Sequence, residues 1–249
     1  MKFIIREDEN DPLGDKMDRN NPWGTGSLSI NRPVDSEVGG FSVVAGANNE
    51  ASGYCSVALG QDNSAKYAQS VAVGYGNKVY CMNGFAEGSD NTLGDPEDTT
   101  PTGAGANGHV EGAGNTVVGV NGHAQGYHCV SAAPNSMAGG SGSRAMGANS
   151  TALGAGVSVY AVGGLTCGRD NVPDTSGQYL FTVGNGNSNE GGEPHDAFNV
   201  RANGDAIVSG RLFVDSIMMR DQVTGQVFIF TIQNGEIVIQ PYVGDRGPG

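Results

Sequence analysis

His109, Glu111, His123 and Gln125 are the side chains whose types and close spacing most readily suggest chemistry. Two imidazoles and a carboxylate can hold a metal or an anion, and all four groups can bond to one another as a polar layer. Their order along the chain shows no carboxylate-rich geometry, so the polar layer is the reading adopted, and no metal or cofactor is assigned. Gly103-Ala104-Gly105-Ala106-Asn107-Gly108 fits G-x-G-x-x-G, yet a dinucleotide site needs a strand before it and a helix after it, and neither is indicated. G-x-S-x-G, H-E-x-x-H and P-loop motifs do not occur. No catalytic residue is assigned, and the chain is not expected to be an enzyme. A fibre-borne glycan depolymerase would need a pair of facing carboxylates that the sequence does not offer.

Two further groups could make contacts rather than do chemistry. Tyr75 and Tyr127 each follow a repeated glycine, and exposed aromatic rings can stack on sugars. Asp95, Glu97 and Asp98 lie in an acidic stretch that interrupts the repeat described below. These five are the candidate receptor contacts, for a glycan or a protein on a host cell surface.

The composition narrows what could position such residues. The 249-residue chain has 42 glycines, 37% apolar and 16% charged residues, poor material for one thick globular core. Thirteen basic against 26 acidic residues give a net charge of −13, which repels a polyanion, so nucleic acid is excluded as a partner. No apolar run reaches bilayer length, and the opening Met1-Lys2-Phe3-Ile4-Ile5 is too short for a signal-peptide core. Neither export nor membrane insertion is expected. Cys55, Cys81, Cys129 and Cys167 form no C-x-x-C pair, so free thiols made in a reducing cytoplasm are expected.

A period of fourteen organises the middle of the chain. Glycine recurs at 46, 60, 74, 88, 112, 126, 140, 154 and 168, with a single interval of 24 that holds a ten-residue insertion at about 94–103. Each glycine ends the template [Ser/Gly]-x-[Ala/Val/Thr]-x-Gly. Asn49, Asn63, Asn77, Asn91 and Asn115 stand three places after it, and Asn83, Asn107, Asn121, Asn135 and Asn149 five places before it. Asparagine favours turns and left-handed backbone, so each unit reads as two short strands and two turns, one coil of a solenoid. Stacking at roughly 4.8 Å lets each asparagine column bond as a ladder.

Residues two apart in a strand share a face. The first, third and fifth template positions are small and are expected inside a narrow roll. The second and fourth point outward and carry Val43, Val57, Leu59, Val71, Val73, Phe85, His109, Glu111, His123, Gln125, Met137, Leu153 and Leu165. So apolar a stripe must be covered, and another copy of the chain in closed symmetry is the economical cover. These thirteen residues are the expected trimer interface.

Ser56-Val57-Ala58-Leu59-Gly60 and Ser70-Val71-Ala72-Val73-Gly74 resemble the S-x-A-x-G repeats of YadA-type heads of trimeric autotransporter adhesins. Gly108-His109-Val110-Glu111-Gly112 and Gly122-His123-Ala124-Gln125-Gly126 resemble the S-H-A-E-G form found in tail and minor structural proteins of phages and prophages. The resemblance implies an all-β, left-handed parallel β-roll that forms a homotrimeric fibre. Because no leader or β-barrel anchor is seen, it also implies a virion appendage, in tail fibre, baseplate or capsid fibre, involved in host attachment. The alternatives are an adhesin head or a purely structural spacer.

The expected organisation is an N-terminal arm or cap at 1–38 that joins other virion proteins and a β-roll of nine coils at 39–171. A small all-β trimerising module follows at 172–243. Its hairpin turns at Asn234-Gly235 and Thr224-Gly225. Two Gly-X-Y triplets at 244–249 match the opening of a collagen-like stalk.

Overall fold

The computed structural model describes residues 28–30, 38–100, 102–188 and 191–242. Most of the expected arm and the Gly-X-Y triplets therefore lie outside the described residues. The described chain is all-β, and its main feature is a parallel β-solenoid of about 10 turns.

Each of nine coils contributes a five-residue strand that contains the template glycine, and seven of them add a two-residue strand on the opposite side. The long strands, from Val43–Ala47 to Leu165–Arg169, stack in parallel with every template position aligned, as in Val57↔Val71, Ala58↔Ala72 and Leu59↔Val73. The short strands, from Ser64–Ala65 to Ser158–Val159, form a second parallel sheet of seven strands. The strand Leu28–Ile30 adds to the start of the long sheet, pairing with Val43–Ala45.

The core is a single file of small side chains between the two sheets. Val44, Ala58, Ala72, Ala86, Val110, Ala124, Ala138 and Ala152, the third template position, are completely buried, and Ala65, Val79, Leu93, Val117 and Ala145 meet them from the short sheet. The choice between Ser and Gly at the first position follows from the same packing. A Cβ on Gly84 would stand 2.6 Å from Leu93 Cδ2 and 2.7 Å from Val79 Cγ1, and one on Gly108 would stand 2.7 Å from Leu93 Cδ1. Where the facing residue is small, serine fits, and its hydroxyl donates to a turn carbonyl: Ser56 to Gly53 O at 2.7 Å and Ser70 to Tyr67 O at 2.5 Å.

The fifth-position glycines are not inside, which corrects the sequence expectation. None of the nine is buried. They have φ between +95° and +146°, and a Cβ there would lie about 2 Å from the carbonyl oxygen of the glycine one coil on, as at Gly74 with Gly88 O at 2.1 Å. Glycine is required because coils approach each other there, not because the interior is narrow.

The two asparagine columns also differ from one another. Asn49, Asn63, Asn77, Asn91 and Asn115 are buried. Asn63 Nδ2 donates to Asn49 Oδ1 at 3.1 Å, to Leu59 O at 2.9 Å and to Gly74 O at 2.7 Å, while Asn63 N donates to Asn49 Oδ1 at 3.0 Å. The left-handed residue at this corner is the one before, as in Asn48, Asp62 and Asp90. The second column is left-handed, with φ between 55° and 57°, and forms an exposed ladder in which Asn121 donates to Asn135 at 2.9 Å and Asn135 to Asn149 at 3.0 Å.

The insertion leaves the stack in register. Glu87 pairs with Glu111 and Phe85 with His109, and Asn115 N reaches Asn91 Oδ1 at 2.9 Å across the longer step. Gly108 N→Gly105 O repeats the turn bond of Gly122 N→Gly119 O, and Gly94 N→Val117 O continues that of Tyr80 N→Leu93 O. The ten extra residues are therefore 95–104, one place later than the sequence estimate.

The boundary expected at 171/172 moves as well. Tyr179–Asn185 pairs in parallel with Leu165–Arg169, so it extends the long sheet, and Asp196–Arg201 and Ala206–Val208 close it with antiparallel pairs. The chain divides into two units at Ser209/Gly210. The second unit is a three-stranded antiparallel sheet of Ile217–Arg220, Val227–Gln233 and Glu236–Pro241. Asn234 and Gly235 both have positive φ at its hairpin turn, as a two-residue loop requires.

Candidate functional site

The second and fourth template positions form the outward face of the long sheet. Residues two apart in one strand lie side by side and their register partners lie above and below, so the face is two adjoining columns. Val43, Val57 and Val71 run up the first column to Phe85, His109, His123 and Met137, ending at Thr151 and Leu165. The second runs through Leu59, Val73, Glu87, Glu111, Gln125 and Gly139 to Leu153. All thirteen residues expected on this face are there, half-buried or exposed; Phe85, Leu153 and Leu165 are 37–38% exposed.

The face is apolar at both ends with a polar island between. In that island the rings stack edge to face, Phe85 on His109 at 5.1 Å and His109 on His123 at 4.9 Å between centroids. His123 Nε2 lies 3.3 Å from Gln125 Oε1. Glu87, which the sequence reading left out of the site, stands beside Glu111 and close to His109: one ligand atom of each residue lies within 4.8 Å of the others. Its signal was available, because Glu87 and Glu111 share the fourth template position once the 24-residue step is counted. A shallow groove of about 450 Å³ runs along this part of the face, lined by Val73, Glu87, Glu111 and the glycines 74, 88, 112 and 126.

The candidate receptor residues do not come together on the island. Tyr75 and Tyr127 are exposed at the strand ends, 49% and 56%, and Tyr127 packs edge-on against His128 at 4.1 Å. In the inserted loop two of the three acids are spent on the loop's own shape. Asp95 Oδ1 accepts from Glu97 N at 2.9 Å. Asp98 accepts from the Thr100 hydroxyl and from the amides of Ala104 at 2.8 Å and Thr100 at 2.9 Å. The Thr100 hydroxyl first, then the Ala104 and Thr100 amides, hold the Asp98 carboxyl below the usual carboxylate range. Tyr67 ties the loop to the roll by donating to Asp98 O at 3.3 Å. Glu97 is exposed.

The G-x-G-x-x-G stretch spans the end of this loop and the following turn and precedes the strand His109–Ala113, without the helix that dinucleotide binding requires. All four cysteines are free: Cys81 and Cys129 are buried and Cys55 is exposed. Burial pushes the Cys81 thiol up to about 12. No family model and no curated protein matches the chain.

Proposed function

We propose that the chain is a subunit of a homotrimeric, fibre-type appendage of a phage or prophage virion that positions or performs attachment to a host cell. The observation that carries the assembly half of this reading is the second unit. None of its described residues, 210–242, is buried, yet Ile217, Met218, Met219, Ile232, Ile237 and Ile239 are 45–74% exposed. A three-stranded sheet needs a covered apolar face to be stable in water, and each large side chain covered contributes roughly 1.5–3 kcal/mol. Further copies of the same chain supply that cover for this sheet and for the apolar ends of the outward face alike. The attachment half rests on the S-x-A-x-G and G-H-A-Q-G repeats, which resemble adhesin heads and phage tail proteins, and on the inserted loop.

Sedimentation equilibrium of the full chain tests the first half. The expected mass is three times 25.4 kDa, falling to the single-chain mass in the Val57→Asp/Val71→Asp variant. A stable 25.4 kDa monomer overturns the reading. The second half is tested by competition: added trimer should block adsorption of the parent virion, and deleting 95–104 should weaken that block while leaving the trimer intact. A trimer that competes for nothing is a spacer.

A further inference from the structure

We propose that Glu87, His109 and Glu111 form a divalent metal site of the zinc class, complete within one chain. Three observations converge on it. One donor atom of each residue lies within 4.8 Å of the other two. Donors on a tetrahedral zinc are roughly 3.4 Å apart, since zinc–oxygen and zinc–nitrogen bonds are about 2.0–2.2 Å long. Rotation of two flexible glutamate side chains covers the difference.

His109 supplies the second observation. Its Nε2 is sealed from solvent and has no hydrogen-bond partner. The ring is pinned between Phe85 and His123 by edge-to-face contacts, so it is held in place without being satisfied. An unpaired buried polar nitrogen is costly unless something binds it.

The third is the stacking of like charges. Parallel pairing sets Glu87 directly over Glu111, about 4.8 Å apart along the stack. Like charges opposite each other destabilise a sheet. Among the described residues neither carboxylate has a cation or a hydrogen-bond donor, and the register neighbours on either side, Val73 and Gln125, bring no positive charge. A divalent cation resolves both defects at once by neutralising the two carboxylates and accepting the imidazole lone pair. Two oxygens and one nitrogen suit Zn2+ better than Ca2+ or Mg2+, which favour all-oxygen shells. Three protein donors leave a position open for water or a fourth group.

The test uses the full chain, stripped of metal, in a Cys55→Ser background because that exposed thiol would compete for zinc. Titration calorimetry with Zn2+ should give one ion per chain, and Zn2+ should raise the melting temperature. His109→Ala, Glu87→Gln and Glu111→Gln should each weaken binding by roughly a hundredfold and abolish the melting shift. His128→Ala, an exposed histidine outside the donor set and out of contact with it, should leave binding unchanged. The two glutamine variants keep side-chain shape, and far-UV circular dichroism reports that the sheets persist. Absence of saturable binding, or binding that survives the three variants, overturns the proposal. So does a Zn2+ stoichiometry that follows His128.

Discussion

Asn77→Ala is the substitution that most directly probes what holds one coil to the next. Asn77 is completely buried. Its Nδ2 donates to Val73 O at 2.9 Å, to Gly88 O at 2.9 Å and to Asn63 Oδ1 at 3.2 Å, and its Oδ1 accepts from Asn91 N at 3.1 Å and Asn91 Nδ2 at 3.0 Å. Truncation leaves Asn63 bonded to Asn49 and Asn91 bonded to backbone groups, but two carbonyls lose a donor and the Asn91 N–H loses its acceptor. At about 1 kcal/mol for each carbonyl bond and 1–3 for a stranded buried donor, the cost is about 3–5 kcal/mol. Asn135→Ala is the control, because its ladder bonds are exposed and water replaces them. There the loss is about 1–2 kcal/mol, mostly for alanine in left-handed backbone at φ 55°.

Equilibrium unfolding in urea at one fixed chain concentration, followed by far-UV circular dichroism, measures both. Hydrogen exchange adds a local readout, because a solenoid opens near the damaged coil before it unfolds as a whole, and the Asn91 amide should lose protection first. Asn77→Asp separates the two halves of the side chain. It keeps the acceptor for Asn91 but turns an anionic oxygen toward two carbonyls, so it should cost at least as much as alanine. If Asn77→Ala costs no more than Asn135→Ala, the buried ladder is not what binds coil to coil and the reasoning fails.

Gly74→Ala should prevent folding or cost about 4 kcal/mol or more, because the new Cβ meets Gly88 O at 2.1 Å with φ at +119°. Gly163→Ala, with φ +69° and nothing within 4 Å, should cost about 1–2 kcal/mol in the same unfolding assay. Ellman's reagent should label Cys55 in the native protein and Cys81 only on unfolding. The buried Cys81 thiol keeps its proton up to about 12 while the unfolded chain gives it up near 9.0, so stability present below pH 9.0 should be lost progressively as the pH rises toward 12.

The roll itself was legible because its constraint is periodic. A coil that must stack in phase repeats its small inward residue and its glycine every 14 residues, and Ala58, Ala72 and Ala86 with Gly60, Gly74 and Gly88 announce this without any knowledge of the neighbours. The reason for each glycine was not legible, since the clash at Gly74 is with an atom of the next coil and the clash at Gly84 with side chains of the opposite sheet. The role of Asn49 and its column was misread in part for the same cause: local propensity points to left-handed backbone, whereas buried carbonyls of two coils decide that those side chains turn inward. Glu87 meets Glu111 only across the 24-residue step, and the sequence does not show that the pair also approaches His109. The end of the solenoid was misplaced because Tyr179–Asn185 joins the sheet after a 16-residue step, out of phase with the repeat but in register with Leu165–Arg169.

The inward and outward columns of the long sheet obey different rules, and the difference says where this protein's individuality resides. Inward, the third position changes only among Ala, Val and Thr, because it meets the short sheet across a gap one side chain wide. Outward, the same strands change from Val71 to Phe85, His109, His123 and Met137 in successive coils, with no effect on the stack beneath. A face that was apolar along its whole length could slide by one coil, about 4.8 Å, against a matching face and bury nearly the same area. A polar band at one height removes that freedom, because a slip would set Glu87 and Glu111 against apolar side chains without partners. Where this face meets another chain, the island of Glu87, His109, Glu111, His123 and Gln125 therefore sets the register, and an ion held there would make the register condition stricter still.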